Sequence, residues 1–392
     1  MIFVRAKEMG IIKDLLVSRR LENPNEIVDA VIQLFYDKTI HPSDQALLNL
    51  AFDKELTQNA LNEFLQKFDI ECFGSDKALL LSYVMKMHPQ LKFDAYTGPR
   101  LEGLLRYFRF KNLELISHYT KIGKALNAAG IKPMILKGGA MKYLRPELSR
   151  AMGDIDILLQ TQKEYKHALK IVKELGYDYE DEGHSVDLHL PGSDAGIVDI
   201  HQYIELGIHY NHQFLQRLFK RASLKTIWGV ETWLPCTEDM LFIGITNLVK
   251  NLNASTSIQG ILYTLFDFEF LKKFKPNFNW QMVLDNIRAT HSEQHMYTAM
   301  KFANKIVPNI LPQLLTEDKH FEKYIHNICN ENIFYAFYVY DVRTECKKLR
   351  LKNALKSWHD FKHYFQVEGQ HFFTKRIMKS QFLINFFLKL VH

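Results

Sequence analysis

The stretch from Ile131 to Gln160 constrains the fold of this chain more than any other part of it. It contains a short apolar run, the glycine pair Gly138 and Gly139, a helix-like segment, and a second apolar run that begins at Asp154 and Asp156. Side chains at positions i and i+2 of a strand point to the same face of a sheet. The stretch therefore predicts two strands around a helix, with a carboxylate pair that could hold one or two metal ions.

The neighbouring segments predict a small mixed sheet. Helical and apolar patterns alternate from residue 104 to residue 203 in the order helix, strand, helix, strand, helix, strand, strand. The strands are expected at 131–136, 155–159, 185–190 and 197–203. A Pro-Gly-Ser-Asp turn sequence separates the last two strands, so we expect them to form a hairpin.

The rest of the chain has helical spacing. Its 392 residues include 28 Phe and 18 Tyr but only 18 Gly and 11 Pro, which favours helices with aromatic packing over a turn-rich β fold. We expect an α+β protein that is mostly helical, in which helical N- and C-terminal regions flank the small mixed sheet. The expected parts are a helical region at 1–102, an α/β core at 103–210, a helical domain at 211–346 and a basic amphipathic helical tail at 347–392.

The tail carries the positive charge of the protein. The formal net charge is +6, and the tail contains ten Lys and Arg against two acidic residues. We expect an amphipathic helix that packs its Phe side chains on the protein; binding of the tail to a membrane surface or to nucleic acid is the alternative. The four cysteines form no C-x-x-C pair, and no secretion signal or apolar run of about 20 residues is present. These features predict a cytoplasmic protein with no transmembrane segment. Any association with a membrane surface would be through the basic tail.

The glycine pair suggests a turn that binds phosphate. Glycine lets the backbone approach a phosphate closely, and the N–H groups at the start of a helix favour an anion. Lys137 and Arg150 supply positive charge for the same phosphates. Glycine pairs are also common in turns that bind no ligand, and Arg150 could be an ordinary surface charge. The glycine pair therefore indicates a phosphate site only in combination with the carboxylates that follow it.

The carboxylates Asp154 and Asp156 lie in an apolar segment. Buried carboxylates are normally paired with a cation or a metal ion. A solvent-facing pair at the start of a strand is the alternative. Carboxylates together with substrate phosphate suit Mg²⁺, with Mn²⁺ as an alternative ion, and a third carboxylate would complete a site for two ions.

The expected hairpin offers two candidates for the third carboxylate. Asp187 shares a strand face with His189, and Asp199 shares a strand face with His201. Spacing alone does not separate the two. A zinc site made from these Asp/His pairs is a further alternative.

Together these motifs resemble the nucleotidyltransferase superfamily of the DNA polymerase β type. The patterns LKGGAMKYL, SRAMGDIDILL, HLPG and VDIH are similar to an uncharacterised bacterial branch of that superfamily, over about residues 103–307. The resemblance implies a nucleotidyltransferase core and a Mg²⁺-dependent enzyme, with two ions, that moves a nucleoside monophosphate from an NTP to a hydroxyl acceptor. No motif identifies the acceptor, which could be a sugar, another small molecule, a peptide, a protein or RNA.

The resemblance also assigns roles to single residues. Three carboxylates become the catalytic metal ligands, namely Asp154, Asp156 and Asp199. Four residues become nucleotide-binding, namely Lys137, Gly138, Gly139 and Arg150. Two histidines become accessory candidates, namely His189 and His201. The chain departs from the pattern at Asn247 and Asn251, where such proteins commonly carry histidines, so the acceptor could differ or catalysis could be impaired.

Two alternative functions follow from the same residues. A catalytically inactive module of this fold would bind a nucleotide or a partner without turnover. A toxin-like nucleotidyltransferase would modify nucleic acid or protein, and could use the basic tail to bind its substrate.

Overall fold

The computed structural model describes residues between 29 and 312, apart from gaps at 30–31, 34–35, 38–39, 54, 74, 147–150, 182–184, 192–195, 205–211, 255–257, 276 and 291. Four expectations lie outside the described residues: the position of Arg150, the structure of the first 28 residues, that of the end of the expected helical domain at 313–346, and that of the basic tail at 347–392. None of the described helices is long and apolar enough to cross a membrane.

Eleven α-helices form most of the described structure. They are α1 (Pro42–Phe52), α2 (Gln58–Lys67), α3 (Ser75–Met87), α4 (Thr97–Ala128), α5 (Lys137–Leu144), α6 (Gln162–Glu174), α7 (His212–Arg221), α8 (Thr237–Ala254), α9 (Ile258–Phe274), α10 (Trp280–Ala289) and α11 (Glu293–Ile306). The sequence at the start of α1 shows why it begins there. His41 accepts a hydrogen bond from the backbone of Ser43, Asp44 accepts one from the backbone of His41, and Pro42 occupies the first helical position.

Seven strands form one mixed sheet in the order β3-β4-β5-β2-β1-β7-β6. They are β1 (Met134–Ile135), β2 (Ile155–Leu158), β3 (Asp178–Asp181), β4 (Ser185–His189), β5 (Gly196–His201), β6 (Ser223–Ile227) and β7 (Val230–Leu234). β2 is parallel to β5 and antiparallel to β1, and β1 is parallel to β7. The predicted fold class, a mostly helical α+β protein with a mixed sheet, is confirmed.

Three antiparallel pairs in the sheet join strands with only a few residues between them, and the sequence predicts one of these pairs. β4 and β5 pair antiparallel, as expected. β3, which pairs antiparallel with β4, was not expected as a strand. β6 and β7 form a second hairpin in a part of the chain where only helices were expected, and that expectation is wrong for 223–234. The turn residues Trp228 and Gly229 both have positive φ, which matches the right-handed twist of the paired strands. The sheet thus extends beyond residue 210.

Helix α4 lies against the sheet and reaches the loop before β2. A Cβ atom at Gly123 would lie 2.6 Å from Val230 Cγ1, so the glycine allows α4 to pack directly on β7. Further along α4, Asn112 is buried and its Oδ1 accepts a hydrogen bond of 3.1 Å from the backbone N–H of Met152. This bond fixes the chain just before the carboxylates that follow Met152.

The N-terminal helices share a core with the C-terminal helices. The rings of Phe52 and Tyr83 each lie 5.0 Å from the ring of Phe266, and Tyr83 also contacts Phe270 at 5.5 Å. Aromatic pairs at these distances stabilise a fold by more than the burial of their apolar area alone. Helices α1, α3 and α9 are therefore packed together rather than separated by a linker.

Glu238 ties the start of α8 to the segment between α9 and α10. Its side chain is fully buried, and it accepts hydrogen bonds from Lys275 Nζ at 2.5 Å, from the backbone of Asn279 at 3.0 Å and from Thr237 Oγ1 at 2.9 Å. A buried carboxylate is tolerated only with such partners. The acidic residue in this position therefore has a structural role.

We expect Glu238 to make the stability of the protein depend on pH. Burial by itself raises its pKa, but the hydrogen bonds from Lys275 and Asn279 outweigh burial and lower the pKa below its ordinary value. Such a group stabilises the fold above its unfolded pKa of about 4.3, and this stabilisation is lost as the pH falls through the folded pKa. In thermal unfolding, Glu238→Gln should melt lower than the parent near neutral pH, and the two curves should converge in acid. The exposed Glu102→Gln is the control, and a constant difference at all pH values would contradict the prediction.

Candidate active site

Two carboxylates lie side by side in the middle of the sheet. Asp156 on β2 and Asp199 on β5 are register partners on adjacent parallel strands, so their side chains point to the same face. Asp187 on β4 is the register partner of Asp199 on its other side. Of the two candidates that spacing could not separate, Asp199 is the neighbour of Asp156, and Asp187 lies one strand further away.

His201 joins these two carboxylates. Its Nε2 lies 2.9 Å from Asp156 Oδ1 and 2.9 Å from Asp199 Oδ2. The second oxygen of Asp199, Oδ1, is buried and has no hydrogen-bond partner among the described residues. One ligand atom from each of the three residues lies within 4.8 Å of the other two, so the cluster could hold a metal ion.

Lys137 approaches the same cluster, with Nζ at 2.5 Å from Asp156 Oδ1. Burial by itself raises the pKa of Asp156, but the charge of Lys137 and the hydrogen bond from His201 hold that pKa well below its usual range. The pKa of Asp199 is also lowered, because the nearby His201 outweighs burial. For His201, burial opposes protonation, yet the carboxylates of Asp199 and Asp156 raise its pKa to about 9. At neutral pH the cluster therefore pairs two carboxylates with two cations.

Asp154 lies immediately before β2 and is partly buried. The negative charge of Asp156 is the main cause that raises the pKa of Asp154 to about 7, and burial adds to it. The carboxylates of Asp154 and Asp156 are therefore close enough to repel one another. A divalent cation between them would remove this repulsion, because bound ions are the largest local charges in such sites.

The glycine turn sits beside these carboxylates. The backbone N–H of Leu136 donates a hydrogen bond of 2.9 Å to the carbonyl of Asp156, and α5 begins at the next residue, Lys137. Lys137 has a positive φ of 42°, which is uncommon for a side chain other than glycine and is typical of strained functional turns. A Cβ atom at Gly139 would lie 2.8 Å from Ile135 Cδ1, so a glycine is needed for α5 to pack on β1. No side chain caps the first N–H groups of α5.

The donor set fits a cation that prefers oxygen ligands. Asp156 and Asp199 supply carboxylate oxygens on one face, Asp154 lies two residues before Asp156, and the buried Oδ1 of Asp199 lacks a protein partner among the described residues. Oxygen ligands of this kind suit Mg²⁺. The nitrogen of His201 within the same cluster is also compatible with a transition metal.

The structure does not bring every candidate residue to this place. His189 is at the far end of β4, opposite Gly196, and its Nδ1 is buried without a hydrogen-bond partner among the described residues. Neither His189 nor Asp187 belongs to the cluster that could hold a metal ion. Gly138 is buried in the first turn of α5.

Sequence reasoning missed part of the surroundings of this site. A cleft leads from Lys137 to the facing sides of α8 and α9, where Asn247, Thr264 and Asp267 lie among apolar side chains. The departure from the histidine pattern drew attention to Asn247 but gave no position for it. Thr264 carried no signal in the sequence, because its neighbourhood depends on how two helices pack.

The sheet carries paired carboxylates on adjacent strands, next to a glycine turn that opens a helix. Residues 78–308 match the sequence model of a family described as "uncharacterised nucleotidyltransferase". The match covers more than half of the chain, and the protein belongs to this nucleotidyltransferase family.

Two solved structures are distantly similar to this chain. The antibiotic-resistance factor ANT(2'')-Ia has 13% sequence identity and a TM-score of 0.33, over 48% of this chain and 96% of that one. An antigenic nucleotidyltransferase-like protein from Paracoccidioides brasiliensis has 16% identity and a TM-score of 0.28, over 50% of this chain and 97% of that one. No curated protein matches the sequence. The family assignment therefore rests on the match over residues 78–308.

Proposed function

We propose that the protein transfers a nucleoside monophosphate from an NTP to a hydroxyl group of an acceptor. The observation that carries this proposal is the register pairing of Asp156 and Asp199 beside the turn at Lys137. Catalysis of phosphoryl transfer depends mainly on positioning and on neutralising charge, and this cluster has the residues for both. Membership of a nucleotidyltransferase family supports the same class of reaction.

The metal ligands in this proposal are Asp154, Asp156 and Asp199. They would hold Mg²⁺, with two ions expected and Mn²⁺ as an alternative. The buried oxygen of Asp199 without a protein partner and the raised pKa of Asp154 both support a cation here. When bound, the ions neutralise the phosphate charge and stabilise the attacking and leaving oxygens.

The triphosphate would lie at the start of α5. The N–H groups of the first turn, which begins at Lys137 and includes Gly138 and Gly139, have no side-chain cap and can donate to phosphate oxygens. Lys137 would contribute its ammonium group to the same phosphates. Arg150 is the second expected cation, although it lies outside the described residues.

The reaction forms one bond and breaks one bond. The oxygen of the acceptor hydroxyl bonds to the α-phosphorus, the bond from that phosphorus to the bridging oxygen breaks, and pyrophosphate leaves. The hydroxyl proton would pass to the carboxylate of Asp199, whose Oδ1 takes no hydrogen bond from the described residues. His201 positions Asp199 by donating to its other oxygen. His189 has no assigned step.

The test uses the full-length protein, Mg²⁺ and each NTP labelled at the α-phosphate, with cell extract as the source of acceptors. We expect label to appear in one fraction, whether protein, nucleic acid or small molecule, with equal release of pyrophosphate. Lys137→Ala should lower both NTP affinity and transfer by about tenfold to a hundredfold, the cost of a lost hydrogen bond to a charged group.

Lys142→Ala is the matched control, because Lys142 lies on the same helix and donates instead to the carbonyl of Pro146. It should bind NTP like the parent. Label transfer at the same rate by the parent and by Lys137→Ala, or NTP binding by neither, would refute the proposal.

A further inference from the structure

The outer face of the long helix α4 carries large apolar side chains that are exposed to solvent. Tyr107 is 56% exposed, Phe110 79% and Leu113 55%, and Phe110 is the most exposed of the large apolar side chains in the described part of the chain. Single exposed apolar residues are ordinary on a protein surface. These three follow one another every three residues, so they form one continuous stripe along the helix. A stripe of this kind indicates a contact surface.

The spacing of the exposed positions is that of a helix that packs lengthwise on a second helix. Exposed residues recur on this face at 103, 106, 107, 110, 113, 114 and 117, at alternating steps of three and four that such packing requires. The two ends of the stripe are small residues, Gly103 and Ser117, which let a second backbone approach closely. A Cβ atom at Gly103 would meet nothing within 4 Å. The outer face of α4 is therefore shaped for another helix.

The residue types are complementary on either side of Phe110. Three residues away, Tyr107 on one side matches the apolar Leu113 on the other. Four residues away, the cation Arg106 on one side matches the anion Glu114 on the other, and both are exposed. A sequence that is complementary to its own reverse fits a second copy of the same helix that runs in the opposite direction.

We propose that the protein forms a dimer in which α4 pairs with α4 of a second copy, antiparallel across a two-fold axis beside Phe110. In such an interface the same patch is used on both subunits. Tyr107 then faces Leu113 of the second copy, and Arg106 faces Glu114 of the second copy. A parallel pair would instead place Arg106 against Arg106 and Glu114 against Glu114. The charges therefore select the antiparallel direction.

The size of the stripe sets the strength of this dimer. From Gly103 to Ser117 it is roughly 21 Å long, and an interface between two such stripes falls below the usual range of about 1,200–2,000 Å². We expect a weak dimer with a Kd on the order of 10 µM. The aromatic side chains supply most of the affinity, because exposed ion pairs contribute little. The ion pair between Arg106 and Glu114 mainly fixes the direction of pairing.

The dimer does not depend on the proposed reaction. Asn112, which holds the backbone of Met152 before the candidate metal ligands, is buried on the face of α4 opposite to the stripe. A second copy on the outer face would therefore leave the candidate active site uncovered by α4 contacts.

The experiment is sedimentation velocity of the full-length protein at concentrations from about 1 to 100 µM, around the expected Kd. The parent should change from monomer to dimer over this range. Phe110→Glu should weaken the dimer by at least about a hundredfold, because the symmetry places the change in the interface twice. The melting temperature of Phe110→Glu should equal that of the parent at low concentration, since Phe110 is exposed.

Charge reversal tests the direction of pairing. Arg106→Glu and Glu114→Arg should each weaken the dimer about tenfold, because each places like charges opposite one another. The double reversal should bring the Kd back to within about threefold of the parent. Lys166→Glu, an exposed reversal on α6, is the control and should dimerise like the parent.

Three results would overturn the inference. The first is a parent that stays monomeric at every concentration; a lower melting temperature of Phe110→Glu would then show that the stripe is covered within one chain. The second is a dimer that persists unchanged in Phe110→Glu. The third is a double reversal that is weaker than either single reversal.

Discussion

Replacing Asp199 by asparagine is expected to lower the rate of nucleotidyl transfer by about 10³-fold, because it removes one charge from the pair that faces the reacting phosphate. Asp199 is the register partner of Asp156, and one of its oxygens is bound to His201 while the other is buried without a described partner. Asparagine keeps the shape of the side chain, but its amide nitrogen donates a hydrogen bond where a carboxylate oxygen would accept one. The measurement is the initial rate of pyrophosphate release at saturating NTP and Mg²⁺.

Asp187→Asn is the matched control for this substitution. Asp187 has the same neighbours in sequence, a valine before it and a histidine two residues later, and it pairs with Asp199 from the other side. It should retain the rate to within about tenfold, because it lies one strand further from Asp156. A larger loss in Asp187→Asn than in Asp199→Asn would mean that the third carboxylate is assigned to the wrong strand.

The two carboxylates illustrate how far sequence reasoning reaches. The alternation of side chains along a strand predicts that Asp154 and Asp156 share a face, and it predicts the same of Asp199 and His201. It does not predict which strand lies next to β2, because Val-Asp-Leu-His and Val-Asp-Ile-His have identical spacing. The resemblance to nucleotidyltransferases selects Asp199, and the pairing of β2 with β5 is the structural observation that separates the two, because strand order depends on long-range contacts.

The contact between Lys137 and Asp156 was also not predictable from the sequence. Lys137 was expected to bind phosphate, and its ion pair with Asp156 depends on the turn that brings α5 back to β2.

The second hairpin, formed by β6 and β7, was missed for a different reason. Val230, Thr232 and Leu234 alternate as buried positions along β7, a period of two that the surrounding helical pattern concealed. The shared core of α1, α3 and α9 has no sequence signal, because Phe266 lies 214 residues after Phe52 and 183 residues after Tyr83 in the chain.

A second charge pair holds the helical region to the rest of the protein. Asp239 on α8 is fully buried and receives two hydrogen bonds from Arg221 at the end of α7, of 2.9 Å to Oδ2 and 2.6 Å to Oδ1. Asn286 on α10 donates to the same carboxylate at 2.9 Å, and the thiol of Cys236 donates at 3.1 Å. The pair therefore joins three helices at one buried point. Its bidentate geometry is the strong form of such a contact.

Arg221→Met is expected to lower the free energy of unfolding by about 3–5 kcal/mol, because it leaves the buried charge of Asp239 without its cation. The double variant Arg221→Met/Asp239→Leu should recover much of this loss, since an apolar pair of similar volume has no charge to desolvate. Both values are measured by urea unfolding of the full-length protein. Arg106→Met is the control. The Arg106 side chain is 82% exposed and its ion pair among the described residues is with Glu102 on the same helix, so this substitution should cost less than about 0.5 kcal/mol. A double variant less stable than Arg221→Met would show that the contact contributes through packing rather than through the balance of charge.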